Sequence, residues 1–596
     1  MTVNTACERK SKMGRYNLLD EPWISVFEDQ TDEKKDVSML EFFRNAASYR
    51  SLAGEMETQN FAVMRFLLSV VQTVFSRVNF DGQPLSGITL DEKGIQTEPV
   101  DSDDLDDYCE ETAECWEQLY ASGRFPDVLI RYLETWRDHF YLFDDQHPFY
   151  QISKNEMDAV MAQIKKGQPT SIYGKNLNRT ISESENKTAL FSPIANGNQN
   201  DKRGRKDILS GAELVRWLLT FQDYTGLMDK VSLVGSNQRP SKGWLFDIGG
   251  IYLRGSNLFE TLILNYMPES PNGQKSFCGR VQKPCWESDG LTVVRRICAN
   301  GFIDNLAELY TNWSRAVYID PKTDLSKPIE INVVKLPEIE HTEANIEPMT
   351  LWRRNDTGPN KDHDTPRKHK AEEALWRSFG IIAMGSADSG NKDGGRQPGI
   401  FGQYDRLIHA AGSRWTDLAG VSMEDNGQAT SWLPVDEITD SFRINDLVIT
   451  DSDPDGWVVR INDTVETTKH VVSGIYYMYL KGICEIRSLK VTSPMDAQAV
   501  GFIHEETAMM YAAVDAAFKN WLSQLQPGDS KEDKIKIWYS TLRKLVLDRG
   551  EELFEQSTSK DLTGIQNDSG VENIATKYWQ FVNSVNSVLY RKGGQA

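Results

Sequence analysis

The sequence predicts an α+β protein, with a large mixed N-terminal domain followed by a C-terminal antiparallel four-helix bundle. Before residue 450, a short strand pair and apolar helices are separated by long polar loops. The cluster Asp451 to Gly456 is a clear turn signal. Beyond it, amphipathic segments joined by short loops are typical of a bundle. We expect its helices at about 464–488, 500–525, 531–557 and 571–591.

Three segments follow from this pattern: a disordered lead-in at 1–14, the mixed domain at 15–450 and the bundle at 451–596. The mixed domain opens with apolar residues from Leu18 to Val26, which predict a short strand pair. The run from Phe61 to Val78 is apolar and long enough for a core helix.

Helix boundaries are marked by capping residues. Ser210 and Glu213 form a capping box before an apolar run, and Gly226 is placed as the C′ glycine of that helix. In the C-terminal part, two further starts are predicted by the pairs Ser530 with Asp533 and Ser569 with Glu572.

Charge and cysteine usage limit the classes of function. The net charge is -21 and the pI is about 5.0, whereas a protein that binds DNA by itself is usually basic. Any nucleic-acid contact must therefore use local patches, with partners supplying the rest. There is no apolar run of membrane-spanning length and no secretory h-region, so we expect no membrane association. The seven scattered cysteines fit a reduced cytoplasm.

The segment Met423 to Trp432 is the first candidate site. Asn426-Gly427 is the commonest two-residue signal for a tight hairpin turn, because both positions tolerate positive φ. Gln428 follows at once, so a side-chain amide would stand at the tip of a stiff hairpin. Such a tip can enter a DNA groove and form hydrogen bonds with base edges. The alternative is a surface turn without function.

A second candidate lies in the long polar region from Gly167 to Lys206. A loop of this length inside a globular body is usually either functional or disordered. It contains the apolar pair Leu190-Phe191, then Asn196, and ends in a basic run.

Enzyme motifs are incomplete. Gly385 to Gly390 has Walker spacing, but Asn391 stands where the phosphate-binding Lys is required. His504-Glu505 begins like a zinc-protease helix, but Ala508 replaces the second His. His363, Asp364 and His369 could form part of a nuclease metal site, or belong to a solvated basic loop. We therefore predict no enzyme activity and no metal or other cofactor.

Seven segments of the chain form a recognisable series. In order, they are NLLDEPWISV at 17–26, HPFYQ at 147–151, Leu190-Phe191, LSGAELVRWLLTFQDYTG at 209–226, GGIYLRGSNLFETLILN at 249–265, Asn-Gly-Gln at 426–428 and HEETAMMYAAVDAAF at 504–518. In these segments the chain resembles the CasA family, the large subunits of type I-E CRISPR surveillance complexes (Cascade). The resemblance runs from about residue 15 to 591.

The resemblance implies a non-catalytic reader of target DNA. Such subunits recognise a short protospacer-adjacent motif (PAM), open the adjacent duplex for R-loop formation and help recruit a helicase–nuclease in antiviral defence. Its partners would be CRISPR RNA, the other Cascade subunits, the target duplex and the helicase–nuclease. The residues implied for DNA and PAM binding are a glutamine wedge (Gln428 with Asn426 and Gly427), a glycine loop (Thr225 and Gly226) and a lysine finger (Lys335). Phe191 and Asn196 correspond to the loop that docks at the CRISPR RNA 5′ end.

Three functions remain open at this point: a PAM-reading subunit, a metal-dependent nuclease using His363, Asp364 and His369, and a scaffold without DNA contact. Insensitivity to a chelator would separate the reader from the nuclease. Deletion of the hairpin would leave a scaffold unaffected.

Overall fold

The mixed domain begins with a small antiparallel sheet, which is followed in the chain by a buried helix. The computed structural model describes residues 16–164, 167–177, 207–227, 229–235, 238–268, 278–299, 303–339, 347–384, 396–427, 432–567 and 570–594. The first sheet has the order β2-β1-β3. The predicted opening strand pair and core helix are thus confirmed. The elements are β1 (Ile24–Glu28), β2 (Lys34–Val37), α1 (Met39–Asn45), β3 (Tyr49–Leu52) and α2 (Glu57–Phe75).

The middle of the chain is made of short helices and strands. They are α3 (Leu105–Ser122), α4 (Asp127–Thr135), α5 (Lys154–Ala162), β4 (Thr170–Tyr173), α6 (Gly211–Tyr224), α7 (Trp244–Ile248), β5 (Gly250–Arg254), α8 (Leu258–Asn265), α9 (Gly290–Ala299), α10 (Leu306–Tyr310), β6 (Arg315–Tyr318), β7 (Glu330–Lys335), β8 (Trp352–Arg354), β9 (Asp364–Pro366), α11 (Phe379–Ala383) and α12 (Tyr404–Ala411). Of these helices, α4, α6, α8 and α10 contact α2. A second sheet has the order β4-β7-β6, and β8 pairs with β9.

The capping box predicted at the start of α6 is confirmed. The Ser210 hydroxyl accepts a hydrogen bond from the Glu213 backbone N–H, and the Glu213 carboxylate accepts one from the Ser210 N–H. This satisfies two backbone donors that a helix start leaves without partners. The helix is buried along most of its length and packs against α2, so its C-terminal end is held firmly in the core.

The chain then forms a long β-hairpin. The strands β10 (Trp415–Asp425) and β11 (Pro434–Asn445) pair antiparallel from Trp415↔Asn445 to Asp425↔Pro434, and the short α13 (Asp446–Ile449) follows. The sheet order is β11-β10-β5. Since β5 pairs with β10 only between Asp417 and Val421, the hairpin continues beyond Val421 as two strands.

The C-terminal region is helical, as predicted. Its elements are α14 (Trp457–Lys469), a π-helical segment (His470–Tyr476), α15 (Tyr477–Ile486), α16 (Ala497–Leu522), α17 (Lys531–Glu555), α18 (Ser559–Thr563), β12 (Ile565–Asn567), β13 (Gly570–Glu572) and α19 (Ile574–Gly594). The segment from α14 to α15 is helical without a break. It forms a four-helix arrangement with α16, α17 and α19.

Neighbouring helices in this arrangement run antiparallel. Between the π-helical segment and α16, the Ser473 hydroxyl contacts the Tyr511 hydroxyl at 2.5 Å. Tyr476, further along the π-helical segment, donates to Glu506, which lies earlier in α16. Between α16 and α17, the Phe518 and Trp538 rings meet edge to face with centroids 4.8 Å apart.

Two predicted features of the bundle need correction. The first helix begins at Trp457 rather than near residue 464. Glu572 lies in the strand β13, and α19 begins only at Ile574 after Asn573, whose side chain accepts from the Thr576 N–H. The start predicted at Ser569 and Glu572 is therefore wrong, because Glu572 belongs to β13 and the helix begins two residues later. The start predicted at Ser530 is confirmed.

Among the residues that the structure describes, no helix is both long and apolar enough to cross a membrane.

Candidate nucleic-acid interface

The hairpin loop between β10 and β11 is wider than a tight turn. The strands end at Asp425 and Pro434, and the register shifts between Glu424 and Asp425. Gly427 has φ +65°, but Asn426 does not share this left-handed conformation. The predicted two-residue turn at Asn426-Gly427 is therefore wrong, and the strands are joined by a longer loop over 426–433.

Local hydrogen bonds fix the described part of this loop. The Asn426 N–H donates to the Leu433 carbonyl at 3.1 Å, and the Leu433 N–H donates to the Asn426 side-chain oxygen at 3.3 Å. The Gly427 N–H donates to Asp425 Oδ1 at 2.8 Å. The bonds between Asn426 and Leu433 hold the two described ends of the loop together. Gln428 itself lies outside the described residues.

The loop that follows α6 lies directly against the returning arm of the hairpin. The Leu227 N–H donates to the Trp432 carbonyl at 2.8 Å. A Cβ atom on Gly226 would lie 2.1 Å from the same carbonyl oxygen, so only glycine fits. Thr225 and Gly226 are both buried. Gly226 does not adopt the left-handed conformation of a C′ glycine, so that expectation is wrong: glycine is needed here for close approach.

A fully buried arginine, Arg315 at the start of β6, holds this loop in place. Its Nη2 donates to the Gly226 carbonyl at 2.5 Å, and its Nε donates to Asp229 Oδ2 at 2.5 Å. Its Nη1 donates to the Ser241 carbonyl at 2.7 Å. One planar guanidinium therefore connects three chain segments, a role that the fixed fork of donors in arginine suits well.

Lys335, the last residue of β7, belongs to the same cluster. Its Nζ donates to the Asp229 backbone carbonyl at 2.5 Å, and the side chain is half-buried. Burial lowers the pKa of Lys335 from its ordinary value. The structure thus brings Lys335 next to the Gly226 loop, with its ammonium held at that loop.

Two further lysines flank the hairpin base. Lys242 Nζ lies 4.7 Å from the centre of the Trp432 ring and 2.5 Å from Asp247 Oδ1. Lys368 Nζ lies 3.7 Å from Asp425 Oδ2 and 4.7 Å from the centre of the Phe246 ring. Each of these two lysines is paired with a carboxylate. The surface at the hairpin base therefore carries charges of both signs and is not a broad basic groove.

Glu338, which interacts with Lys242, has a shifted pKa. Burial, together with the neighbouring Asp247 carboxylate, raises the pKa of Glu338 to about 7. The charge of the Glu338 carboxyl therefore changes close to neutral pH.

Sequence reasoning missed Arg315, Asp229, Lys242 and Lys368. They come from different elements, and no motif connects them. The one available signal was the charged character of the short polar loops that carry Asp229 and Lys242.

Several other residues that the sequence singled out do not belong to this described cluster. Phe191, Asn196 and the Walker-like segment 385–390 lie outside the described residues. Asp364 pairs with Arg354 at 3.7 Å, and His369 is buried. Within the described ranges, no group of three or more His, Cys, Asp or Glu residues is placed to hold a metal ion.

The fold matches solved structures over nearly the whole chain. Cse1 from Thermobifida fusca has a TM-score of 0.68 at 21% identity, over 96% of this chain and 98% of that one. The CRISPR-associated protein Cse1 from Acidimicrobium ferrooxidans has a TM-score of 0.66 at 17% identity, over 98% and 99%. A chain from a structure described as a CRISPR RNA-guided surveillance complex has a TM-score of 0.59 at 15% identity, over 97% and 99%. These likenesses define the class of fold.

The family follows from the sequence itself. Residues 17–549 match the model of the CRISPR-associated protein Cse1 family. The chain therefore belongs to the Cse1 family, which confirms the CasA resemblance. No curated protein sequence matches it significantly.

Proposed function

We propose that this chain is the large subunit of a type I-E CRISPR RNA-guided surveillance complex, Cascade, and that it recognises the PAM in double-stranded DNA. The contact of Gly226 with Trp432 carries the proposal, because it brings two predicted site segments that are far apart in sequence onto one surface. Its partners are CRISPR RNA, the other complex subunits, target DNA and a helicase–nuclease, all in the cytoplasm. The chain itself is non-catalytic.

Gln428 would be the wedge and Asn426 a supporting amide. The minor groove offers a degenerate pattern of hydrogen-bond acceptors, so an amide there reads the motif loosely. The sequence of the target is read by pairing with the guide RNA. The wedge has only to part the first base pairs, and unstacking costs a few kcal/mol per step.

Thr225 and Gly226 contribute to DNA binding by seating the hairpin arm, because both residues are buried beneath it. Lys335 lies beside them and keeps further ammonium donors for a DNA oxygen beyond the bond to Asp229. The paired charges around the loop fit a protein of net charge -21 that leaves most of the phosphate binding to its partners.

The experiment compares two forms of one target. The assembled complex with Gln428→Ala should form R-loops more slowly or weakly on fully paired DNA containing the PAM. On DNA already melted beside the PAM, most of this defect should vanish, because no base pair remains to be parted. We expect fold and assembly to be unchanged, since most substitutions outside the core change stability little.

Two variants serve as controls. Asn426→Ala should have a smaller effect, and Gly427→Val should be harmful because φ +65° strains a β-branched residue. Equal impairment of Gln428→Ala on both targets would show that the loop binds the backbone and does not wedge. Wild-type behaviour on both targets would favour the scaffold function.

A further inference from the structure

Two cysteine thiols meet in the mixed domain. The Sγ atoms of Cys109 and Cys278 lie 2.7 Å apart, although the residues are 169 positions apart in sequence. This is closer than the contact distance of two non-bonded sulfur atoms, and a disulfide bond is about 2.05 Å long. Both residues are thiols in this structure and both are partly exposed.

Cys109 is held by the start of α3. The adjacent Tyr108 is buried and donates its hydroxyl to the Ser76 carbonyl at 3.0 Å, just after α2. Two residues beyond Cys109 on its other side, Glu111 accepts hydrogen bonds at 2.7 Å from the N–H and the hydroxyl of Ser86. The helix turn carrying Cys109 is therefore anchored on both sides.

Cys278 is held by independent contacts. The carbonyl of the next residue, Gly279, accepts from the Val100 N–H at 3.0 Å and from the Gln96 side chain at 3.1 Å. Gly279 has φ +67°, and a Cβ there would lie 2.7 Å from Val100 Cβ. The tight fit at Gly279 brings the 278–279 backbone against the segment that leads into α3.

We propose that Cys109 and Cys278 form a reversible disulfide when the protein meets a peroxide. One thiolate attacks hydrogen peroxide, giving a sulfenic acid and hydroxide. The second thiol then attacks the sulfenic sulfur, and the S–S bond forms as water leaves. In total, two thiols and one peroxide give one disulfide and two waters, so the thiols lose two electrons and the peroxide gains them. A dithiol reverses the reaction.

The other described cysteines are less suited to this chemistry. Cys115, Cys285 and Cys484 are buried, and burial raises the pKa of each thiol above its ordinary value. Cys298 is partly exposed, but burial raises the pKa of its thiol as well. A raised pKa leaves less of the reactive thiolate. Oxidation should therefore select the pair.

The bond would close a covalent loop from residue 109 to residue 278. That loop includes α6 and the segment around Gly226, so unfolding of the mixed domain would be restricted. A crosslink across a long loop removes conformations from the unfolded chain, which stabilises the native state. The inference does not depend on the proposed DNA recognition.

The test uses the purified full-length chain with hydrogen peroxide, followed by alkylation and peptide mass mapping without reduction. We expect one crosslinked peptide pair joining Cys109 and Cys278, its loss after dithiothreitol, and a rise in melting temperature of about 2–5 °C on oxidation. Oxidation to separate sulfinic acids, or crosslinks to other cysteines, would overturn the proposal.

Variants provide the second measurement. Cys109→Ser and Cys278→Ser should each abolish the crosslink and the temperature shift, whereas Cys298→Ser, at a partly exposed thiol, should keep both. A temperature shift that persists in Cys109→Ser would also contradict the proposal. Because mapping of the wild-type chain needs no variant, poor folding of either Ser variant would leave the test decisive.

Discussion

Gly226 is the residue at which the loop after α6 meets the hairpin arm. The Gly226→Ala substitution would place a Cβ 2.1 Å from the Trp432 carbonyl oxygen, and backbone cannot yield as a flexible side chain can. We expect the arm to shift, with a loss of about 1–3 kcal/mol in the free energy of unfolding. Binding of PAM-containing duplex by the assembled complex should weaken on the order of tenfold. Chemical denaturation and gel shifts measure the two effects.

Gly402→Ala is the matched control, because nothing lies within 4 Å of its added Cβ. Gly402→Ala should change neither the free energy of unfolding nor the binding of PAM-containing duplex. Normal DNA binding by a folded Gly226→Ala protein would show that the position of the hairpin arm does not matter for recognition.

Phe191 is predicted to anchor the chain in the complex by docking at the CRISPR RNA end. Phe191→Ala should weaken retention by roughly 1–3 kcal/mol, the scale of a buried aromatic at an interface. Co-purification under dilution and salt measures retention, with Tyr173→Ala, at an exposed aromatic of β4, as the control. Wild-type yield of the Phe191 variant would exclude Phe191 as the anchor.

At the scale of elements, α6 ends in a buried acid. Burial raises the pKa of Asp223 to about 7, from an ordinary value of 3.8. Its place at the C-terminal end of the helix also disfavours a negative charge. The folded state therefore holds a proton that the unfolded chain releases at lower pH, so stability falls as pH rises from about 4 to about 7.

Asp223→Asn should remove this pH dependence, because the amide cannot ionise. Relative to wild type, the variant should gain stability between pH 4 and pH 8, by up to about 4 kcal/mol. Urea denaturation at several pH values measures this difference in the free energy of unfolding. Asp320→Asn, at an exposed carboxyl, is the control. A difference between variant and wild type that stays constant with pH would mean that Asp223 does not titrate in this range.

At the scale of the whole molecule, a packed aromatic contact joins the mixed region to the helical one. The Trp376 ring is fully buried and stacks on Phe518 of α16 with centroids 4.0 Å apart. Its Nε1 donates to Asp515 at 2.9 Å, and Arg377 pairs with the same carboxylate at 3.0 Å. The two regions should therefore unfold together, although we propose that they are separate domains meeting near residue 450.

Trp376→Ala should cost about 3–5 kcal/mol, the usual range for a buried aromatic. It should also separate one urea transition into two, because the contact that couples the regions is lost. Circular dichroism reports the helical region and tryptophan fluorescence reports both. Trp579→Ala, at a residue that is 63% exposed, is the control. One unchanged transition in the Trp376 variant would show that other contacts couple the regions.

The sequence by itself determined the elements whose signals are local. Helix propensity, capping and amphipathic spacing depend on residues a few positions apart. The capping box at Ser210, the buried α2 and the helical C-terminal region could therefore be predicted. The order of segments such as NLLDEPWISV also sufficed to identify the family. The tight turn at Asn426-Gly427 was predicted wrongly. The local preference of this dipeptide for a two-residue turn was overridden by a longer loop, whose two ends are joined by the hydrogen bond from the Asn426 N–H to the Leu433 carbonyl.

Only the tertiary structure decided how the candidate site is assembled. Arg315 bonds to the Gly226 carbonyl and to Asp229, residues more than eighty positions away in sequence. Gly226 read locally as a helix terminator, but its actual constraint is the Trp432 carbonyl, which reaches it from another part of the chain. Such contacts form between surfaces brought together by folding of the core, and no local pattern encodes which backbone atom will face a given residue.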